Sequence, residues 1–351
     1  MSSSTVRLYC WLSGFKWTKK TMRILVTGSS GHLGEALMRT LRGSEHETIG
    51  LDILPSPYTD VVGSIVDRAT VHRSMRGVEA VLHTATLHKP HVGTHSRQDF
   101  VDTNISGTLN LLEEANAANV SAFVFTSTTS TFGRALVPAA GQPAAWITED
   151  VVPVPKNIYG ATKIAAENLC ELFAHNLRLP VIVLRTSRFF PEEDDHKERR
   201  DSFANANLKA NEFLYRRVDV EDIVSAHLLA IDKVQALGFR KYIISATTPF
   251  TRDDLAELRT DAPAAVRRHV PTYADEYARH GWKMLSSIDR VYVNERARNE
   301  LGWKPKYDFA RVIASLRANE DFLSPLARAI GSKGYHAETF EDGPFPLEST
   351  H

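Results

Sequence analysis

Cysteine is almost absent from this chain: two residues in 351, Cys10 and Cys170. They lie far apart and fit no metal-ligand spacing, which excludes a disulfide scaffold and a cysteine zinc site and points to free thiols in a reducing, cytoplasmic setting. No run approaches the roughly 18 apolar residues that a membrane span requires, so none is expected. Charge of one sign is also missing. The 42 Lys and Arg residues balance 42 Asp and Glu residues, whereas nucleic-acid binders usually show a basic excess. There are no internal repeats. The first twenty residues contain no acid but carry Arg7, Lys16, Lys19 and Lys20. Residues 1–21 therefore read as an unordered extension ahead of a domain that starts near Met22.

What is present is a rhythm. Apolar runs at Arg23–Thr27, Glu47–Leu51, Ala80–His83, Ala122–Thr126 and Val181–Leu184 read as strands. Helical periodicity occupies the stretches between them, notably Phe100–Asn116 and Tyr159–Leu177. Strands alternating with helices predict a Rossmann-type, doubly wound parallel sheet over residues 22–188. After Arg188 the rhythm breaks. Residues 191–201 form a charge run expected to be a solvated loop. A helix near Val220–Lys233 and a strand at Tyr242–Ser245 return to the sheet. Residues 189–330 read as a small helix-rich substrate lobe, and 331–351 as a loosely ordered tail.

Between the first strand and first helix stands Thr27-Gly28-Ser29-Ser30-Gly31-His32-Leu33-Gly34. Gly28 permits a tight turn, Gly31 lets backbone approach a pyrophosphate, and Gly34 lets helix and strand pack closely. The free N–H groups of the helix start suit phosphate. Asp52, eighteen residues past Gly34, can accept both adenosine ribose hydroxyls and would repel a 2′-phosphate, which predicts NAD over NADP.

Tyr159 and Lys163 stand four apart on one face of a predicted helix. The fourth strand ends in Ser127-Thr128-Thr129-Ser130, at the carboxyl edge where open α/β sheets bind ligands. Lysine's charge and an oxidised nicotinamide both favour the phenolate, so tyrosine can act as a general base near neutral pH.

These features resemble the extended short-chain dehydrogenases, the NAD-dependent epimerase/dehydratase family. The likeness runs from about Arg23 to Phe309. It is carried by TGSSGHLG (27–34), Asp52, GSIVD (63–67), VLHTAT (81–86), DTNISGT (102–108), FTSTTSTFG (125–133), YGATK (159–163), LRTSRFF (184–190), RRVDVEDIV (216–224) and LGWKP (301–305). The resemblance implies Tyr159 as acid/base, Lys163 as its partner and nicotinamide-ribose ligand, and Thr128 as the hydroxyl on the reacting oxygen, with Ser127 as the competing choice. It places Gly28, Ser30, Gly31, His32, Leu33, Gly34, Asp52, Ser64, Ile65, His83, Thr84, Ala85 and Asn104 along the dinucleotide, together with Tyr159 and Lys163. Thr86, His88, Thr128, Thr129 and Arg188 would face substrate. Helices near 100–117 and 159–177 resemble those that pair in a four-helix homodimer interface.

Three departures bear on substrate. Ser64 replaces the family's usual aspartate near adenine. Arg188 replaces the asparagine that nucleotide-sugar enzymes use for a diphosphate. Only 28 positions separate Arg188 from Arg216, a shorter segment than those enzymes carry. A smaller, sugar-like or anionic substrate is expected, with Arg188 either forking onto its carboxylate or phosphate or forming an internal ion pair. His83, His88, His91 and His95 crowd one loop, but no acid or thiol at suitable spacing completes a metal site, so none is expected. The hydride chemistry forks between a dehydrogenase, which the short lobe favours, and an epimerase. A dinucleotide sensor without catalysis is the third reading, set against the presence of both Tyr159 and Lys163.

Overall fold

The structure is a computed structural model that describes residues 21–334, 336 and 340. The sequence expectations for Cys10 and residues 1–20, and for the rest of the tail, lie outside the described residues. Among the described residues nine strands are formed: β1 (Arg23–Thr27), β2 (Glu47–Asp52), β3 (Val61–Val62), β4 (Ala80–His83), β5 (Ala122–Thr128), β6 (Ala145–Ile147), β7 (Val181–Thr186), β8 (Arg240–Ile244) and β9 (Arg290–Tyr292). Seven make one sheet in the order β3-β2-β1-β4-β5-β7-β8, and each neighbouring pair is parallel. β6 and β9 form a separate parallel pair.

Both faces of the sheet are covered, as its near-continuous apolar strands require. Ile24 and Val26 point to one face, among Leu33, Leu37 and Leu41 of the helix His32–Arg42 and Ile223, Val224 and Ile231 of the helix Val220–Leu237. Leu25, Val81, Phe123 and Phe125 point to the other, against Leu111 and Leu112 of the helix Gly107–Ala117 and Ala166, Cys170 and Phe173 of the helix Ile158–Asn176. A second core, with Phe213, Tyr277, Phe309 and Ile313, builds the lobe. Strand order reverses direction between β1 and β4, and the crevice outside their carboxyl ends is where such folds bind ligands.

Three sequence expectations change. The stretch expected as one helix over Phe100–Asn116 runs from Arg97 to Ala117 with a wide π turn at Asp102–Ser106, a distortion frequent at functional sites. The charge run is only partly a solvated loop. Glu192, Asp194 and Asp195 are buried, because His32, Arg188 and Arg216 pair with them. The described part of the tail packs. Ser332 Oγ, Lys333 N and Gly334 N all donate to Glu192 Oε1, at 2.9, 3.0 and 3.2 Å. Strands β3, β6 and β9 are too short to show a period in sequence.

Candidate active site

The glycine turn has the shape a pyrophosphate cradle needs. Gly28 sits at φ +72°, and a Cβ there would lie 2.7 Å from Ala85 N; a Cβ at Gly34 would lie 1.9 Å from Gly28 O. The turn thus touches both the following helix and the loop after β4. Gly31 N-caps the helix with no side chain bonded to its first N–H groups, leaving donors and a positive dipole end for an anion. Asp52 ends β2 with Oδ2 accepting from Ser30 N at 2.9 Å and Oδ1 from Leu54 N at 2.9 Å. This carboxylate is therefore fixed beside the turn. The cradle and the placed acid fit NAD.

The other expected cofactor residues divide by what their side chains do. Leu33 is core. The His32 imidazole is buried against Glu192, Nε2 to Oε1 2.8 Å, so only the backbone of that residue can serve a phosphate. Ser64 Oγ accepts from Val66 N at 3.1 Å, and Ile65 packs on the helix at Gly107. His83 is fully engaged inside the sheet, Nδ1 with Thr27 Oγ1 at 2.8 Å and Nε2 with Thr108 Oγ1 at 2.9 Å. Burial, then the Lys163 charge, holds it well below its ordinary range. Thr84 Oγ1 donates to Thr27 O at 2.7 Å, tying the loop after β4 to β1 beside Ala85.

Asn104, in the π turn, connects that loop to the helix Ile158–Asn176. Its Oδ1 accepts from Thr86 Oγ1 and Leu87 N, both at 2.9 Å; its Nδ2 donates to Leu87 O at 2.9 Å and Thr162 Oγ1 at 3.0 Å. Thr86 is thereby held next to Asn104.

At the end of β5 the structure separates Ser127 from Thr128. Ser127 Oγ donates to Glu167 Oε1 at 2.5 Å beneath the helix Ile158–Asn176. The Thr128 side chain neighbours the Tyr159 phenol, and its hydroxyl accepts from Ser130 N at 3.1 Å, capping the short turn that contains buried Thr129. Thr128 is thus the hydroxyl beside the tyrosine. Asn157 caps the start of the Tyr159 helix. Lys163 Nζ donates to Thr126 O at 2.8 Å and lies 4.0 Å from the Phe125 ring centroid. Burial raises the phenol to about 12, against the Thr128 hydrogen bond. Burial also lowers the Lys163 ammonium to about 7, against the Glu167 charge.

Arg188 and His88 take different places from a substrate fork. Arg188 Nη1 pairs with Asp195 Oδ1 at 3.1 Å, Nη2 donates to Glu193 O at 2.8 Å, and Nε lies 3.8 Å from Glu212 Oε2. The internal ion pair is the arrangement formed, because Asp195 and Glu212 are buried and need cations. Lys89 also pairs with Asp195, and Arg216 pairs with both Asp194 and Glu212. His88 stacks on Phe190 at 5.4 Å; burial, then neighbouring imidazoles, depresses it well below its ordinary range. His88, His91, His95 and His336 meet ring to ring at 4.6 to 6.5 Å. Among the described residues no group of three His, Cys, Asp or Glu side chains could hold a metal, and no helix is long and apolar enough to cross a membrane.

Sequence reasoning did not single out Glu167, Arg185, Thr162 or Glu192. Glu167 carried a signal, one turn beyond Lys163 and two beyond Tyr159. Glu192 carried none, since its partners lie 140 or more positions away.

A model of the NAD-dependent epimerase/dehydratase family matches residues 24–245. The chain is 26% identical over 325 residues to a UDP-glucose 4-epimerase of Rhizobium leguminosarum bv. trifolii, with 83% of this chain and 95% of that one covered. It is 29% identical over 354 residues to a dTDP-glucose 4,6-dehydratase of Streptomyces niveus, covering 89% and 99%. An Agrobacterium tumefaciens short-chain dehydrogenase/reductase superfamily protein, solved with bound NAD, shares the fold with a TM-score of 0.59, 24% identity and coverage of 85% and 97%. The chain therefore belongs to the NAD-dependent epimerase/dehydratase family, with NAD as its cofactor.

Proposed function

We propose that this protein is an oxidoreductase that moves a hydride at a carbinol carbon of a sugar- or sugar-acid-like substrate. The observation that carries this reading is the buried Tyr159 phenol beside Thr128 at the carboxyl edge of the sheet, with Lys163 one helical turn away. Tyr159 removes the hydroxyl proton, Thr128 orients the oxygen, and Lys163 stabilises the phenolate. NAD, when bound, supplies the hydride acceptor. Its phosphates would lie on the Gly31–Gly34 helix start and its adenosine ribose on Asp52.

The substrate lobe favours a small substrate. Arg188, Arg216 and Arg217 are committed to Asp194, Asp195 and Glu212 within the protein. A diphosphate could recruit Arg188 only by uncovering a buried carboxylate, which is costly. We place Thr86 and Thr129 around the reacting carbon. Release of oxidised product, rather than return of the hydride to the opposite face, follows from the compact lobe. A homodimer through the helices Gly107–Ala117 and Ile158–Asn176 fits the exposed Leu172.

A second reading is a nucleotide-sugar 4-epimerase. It is favoured by the likeness to the Rhizobium enzyme over 95% of that enzyme's length. One experiment separates the two. Purified protein with NAD+ is screened at 340 nm against aldoses, uronates and sugar phosphates, and in parallel with UDP-glucose and UDP-galactose. Stoichiometric NADH from a free sugar or sugar acid supports the dehydrogenase. Interconversion of UDP-sugars without net NADH establishes the epimerase and overturns the small-substrate reading.

A further inference from the structure

Tyr159, Lys163 and Glu167 lie at i, i+4 and i+8, on one face of the helix Ile158–Asn176. The first two carry the proposed proton transfer, and the third faces the two central strands. Glu167 Oε1 accepts from Ser127 Oγ at 2.5 Å and from Arg185 Nε at 3.0 Å, and Oε2 accepts from Arg185 Nη2 at 2.7 Å. Ser127 and Arg185 are register partners on β5 and β7. One carboxylate therefore clamps the helix to two strands at once, one residue before Thr128. Both members of the ion pair are almost wholly buried, with side-chain exposures of 4% and 1%. Arg185 Nη1 has no hydrogen-bond partner, so the charge of that arginine is balanced by Glu167.

The same carboxylate acts on Lys163. The ionisable groups around this ammonium are Tyr159, Glu167 and Cys170 on its own helix, His83 from β4 and Arg185 from β7. His83 is kept neutral by burial. Burial pushes the Cys170 thiol far up, so it is neutral too. β5 contributes the Thr126 carbonyl and the face of Phe125. Glu167 is thus the anion that opposes the desolvation of Lys163.

We propose that Glu167 is a positioning residue for the proton-transfer set: it fixes Thr128 and the Tyr159 helix in one frame and keeps Lys163 protonated. The inference rests on the proposed role of Tyr159 and Lys163. A neutral Lys163 would leave the Tyr159 phenolate without a counter-charge, so the tyrosine would need a higher pH to act as base.

The test uses full-length protein with 13Cε-labelled lysine, the Lys163 resonance being assigned with Lys163→Arg. In the wild type its titration midpoint is expected near 7. In Glu167→Gln it should fall by about one pH unit or more, and in Glu167→Asp by less than about half a unit, since a nearby opposite charge shifts such groups by one to three. If Glu167→Gln does not fold, Arg185→Gln, which leaves Glu167 without its cation, should raise the Lys163 midpoint instead. A merely structural clamp would lower the melting temperature while the Lys163 midpoint stays at the wild-type value in folded Gln variants; that result overturns the proposal. The readout needs no substrate. Full turnover by Tyr159→Phe would sink the functional reading, whereas an unmoved Lys163 midpoint would sink only the role of Glu167.

Discussion

Replacing Asn104 by alanine tests how the site is held together. The side chain is 2% exposed and makes four hydrogen bonds of 2.9 to 3.0 Å, three to the Thr86–Leu87 loop and one to Thr162 on the Tyr159 helix. Truncation leaves the Leu87 N–H and C=O and two hydroxyls to find other partners. A buried group left unsatisfied costs about 1–3 kcal/mol. Thr86 and Leu87 are only part-buried and can recruit water, and Thr162 Oγ1 keeps a bond to Ile158 O at 2.9 Å. The expected loss is therefore about 2–3 kcal/mol rather than the full sum. Urea unfolding followed by circular dichroism reads it as a lower midpoint at unchanged slope. Asn104→Asp, which keeps the acceptor but loses both donors, should lose at least as much. An Asn104→Ala loss below about 0.5 kcal/mol, the range of an ordinary surface change, would refute the reasoning.

Three further outcomes follow from the same geometry. Tyr159→Phe should keep NAD binding, read by calorimetry, and lower turnover about 10²–10⁴-fold, the usual contribution of a positioned acid/base. Gly34→Ala would set a Cβ 1.9 Å from Gly28 O, so NAD affinity should fall at least about tenfold, because the turn that cradles the phosphates must move. Burial raises the Glu192 carboxyl, but the His32 bond and charge and the Lys333 N–H outweigh it and bring it to about 2. The folded value lies below the unfolded one, so its stabilisation is complete above about pH 4.5 and lost as pH falls through 2. Glu192→Gln should therefore flatten the acid limb of a thermal-melt series against pH.

Local chemistry was legible in the sequence and distant chemistry was not. β1 and β4 begin and end where their apolar runs do, and the glycine turn announced itself because backbone clearance is written in residue type. Tyr159 and Lys163 stood out by helical spacing together with the hydroxyls at the end of the fourth strand. Thr128 was preferred over Ser127 by resemblance alone, and the physical difference appears only in the fold, where Glu167 takes the Ser127 hydroxyl. Arg188 looked available because its partners, Asp195 and Glu212, are assembled only by the fold. Glu192, Asp194 and Asp195 sit in a run whose composition says solvent. They are buried because His32, Arg188 and Arg216 converge on them from three other segments. The β6–β9 pair joins residues near 146 to residues near 291, a separation at which short strands leave no pattern.

The central claim is that the Tyr159 phenol faces the nicotinamide of bound NAD, and its ionisation reports on this without any substrate. A 13Cζ-tyrosine NMR titration, with Tyr159 assigned by Tyr159→Phe, should give a midpoint near 12 in the free protein and one at least about one pH unit lower with saturating NAD+, as an added positive charge within a few ångströms demands. A Tyr159 midpoint that NAD+ leaves unchanged, in protein shown by calorimetry to bind it, would contradict the account.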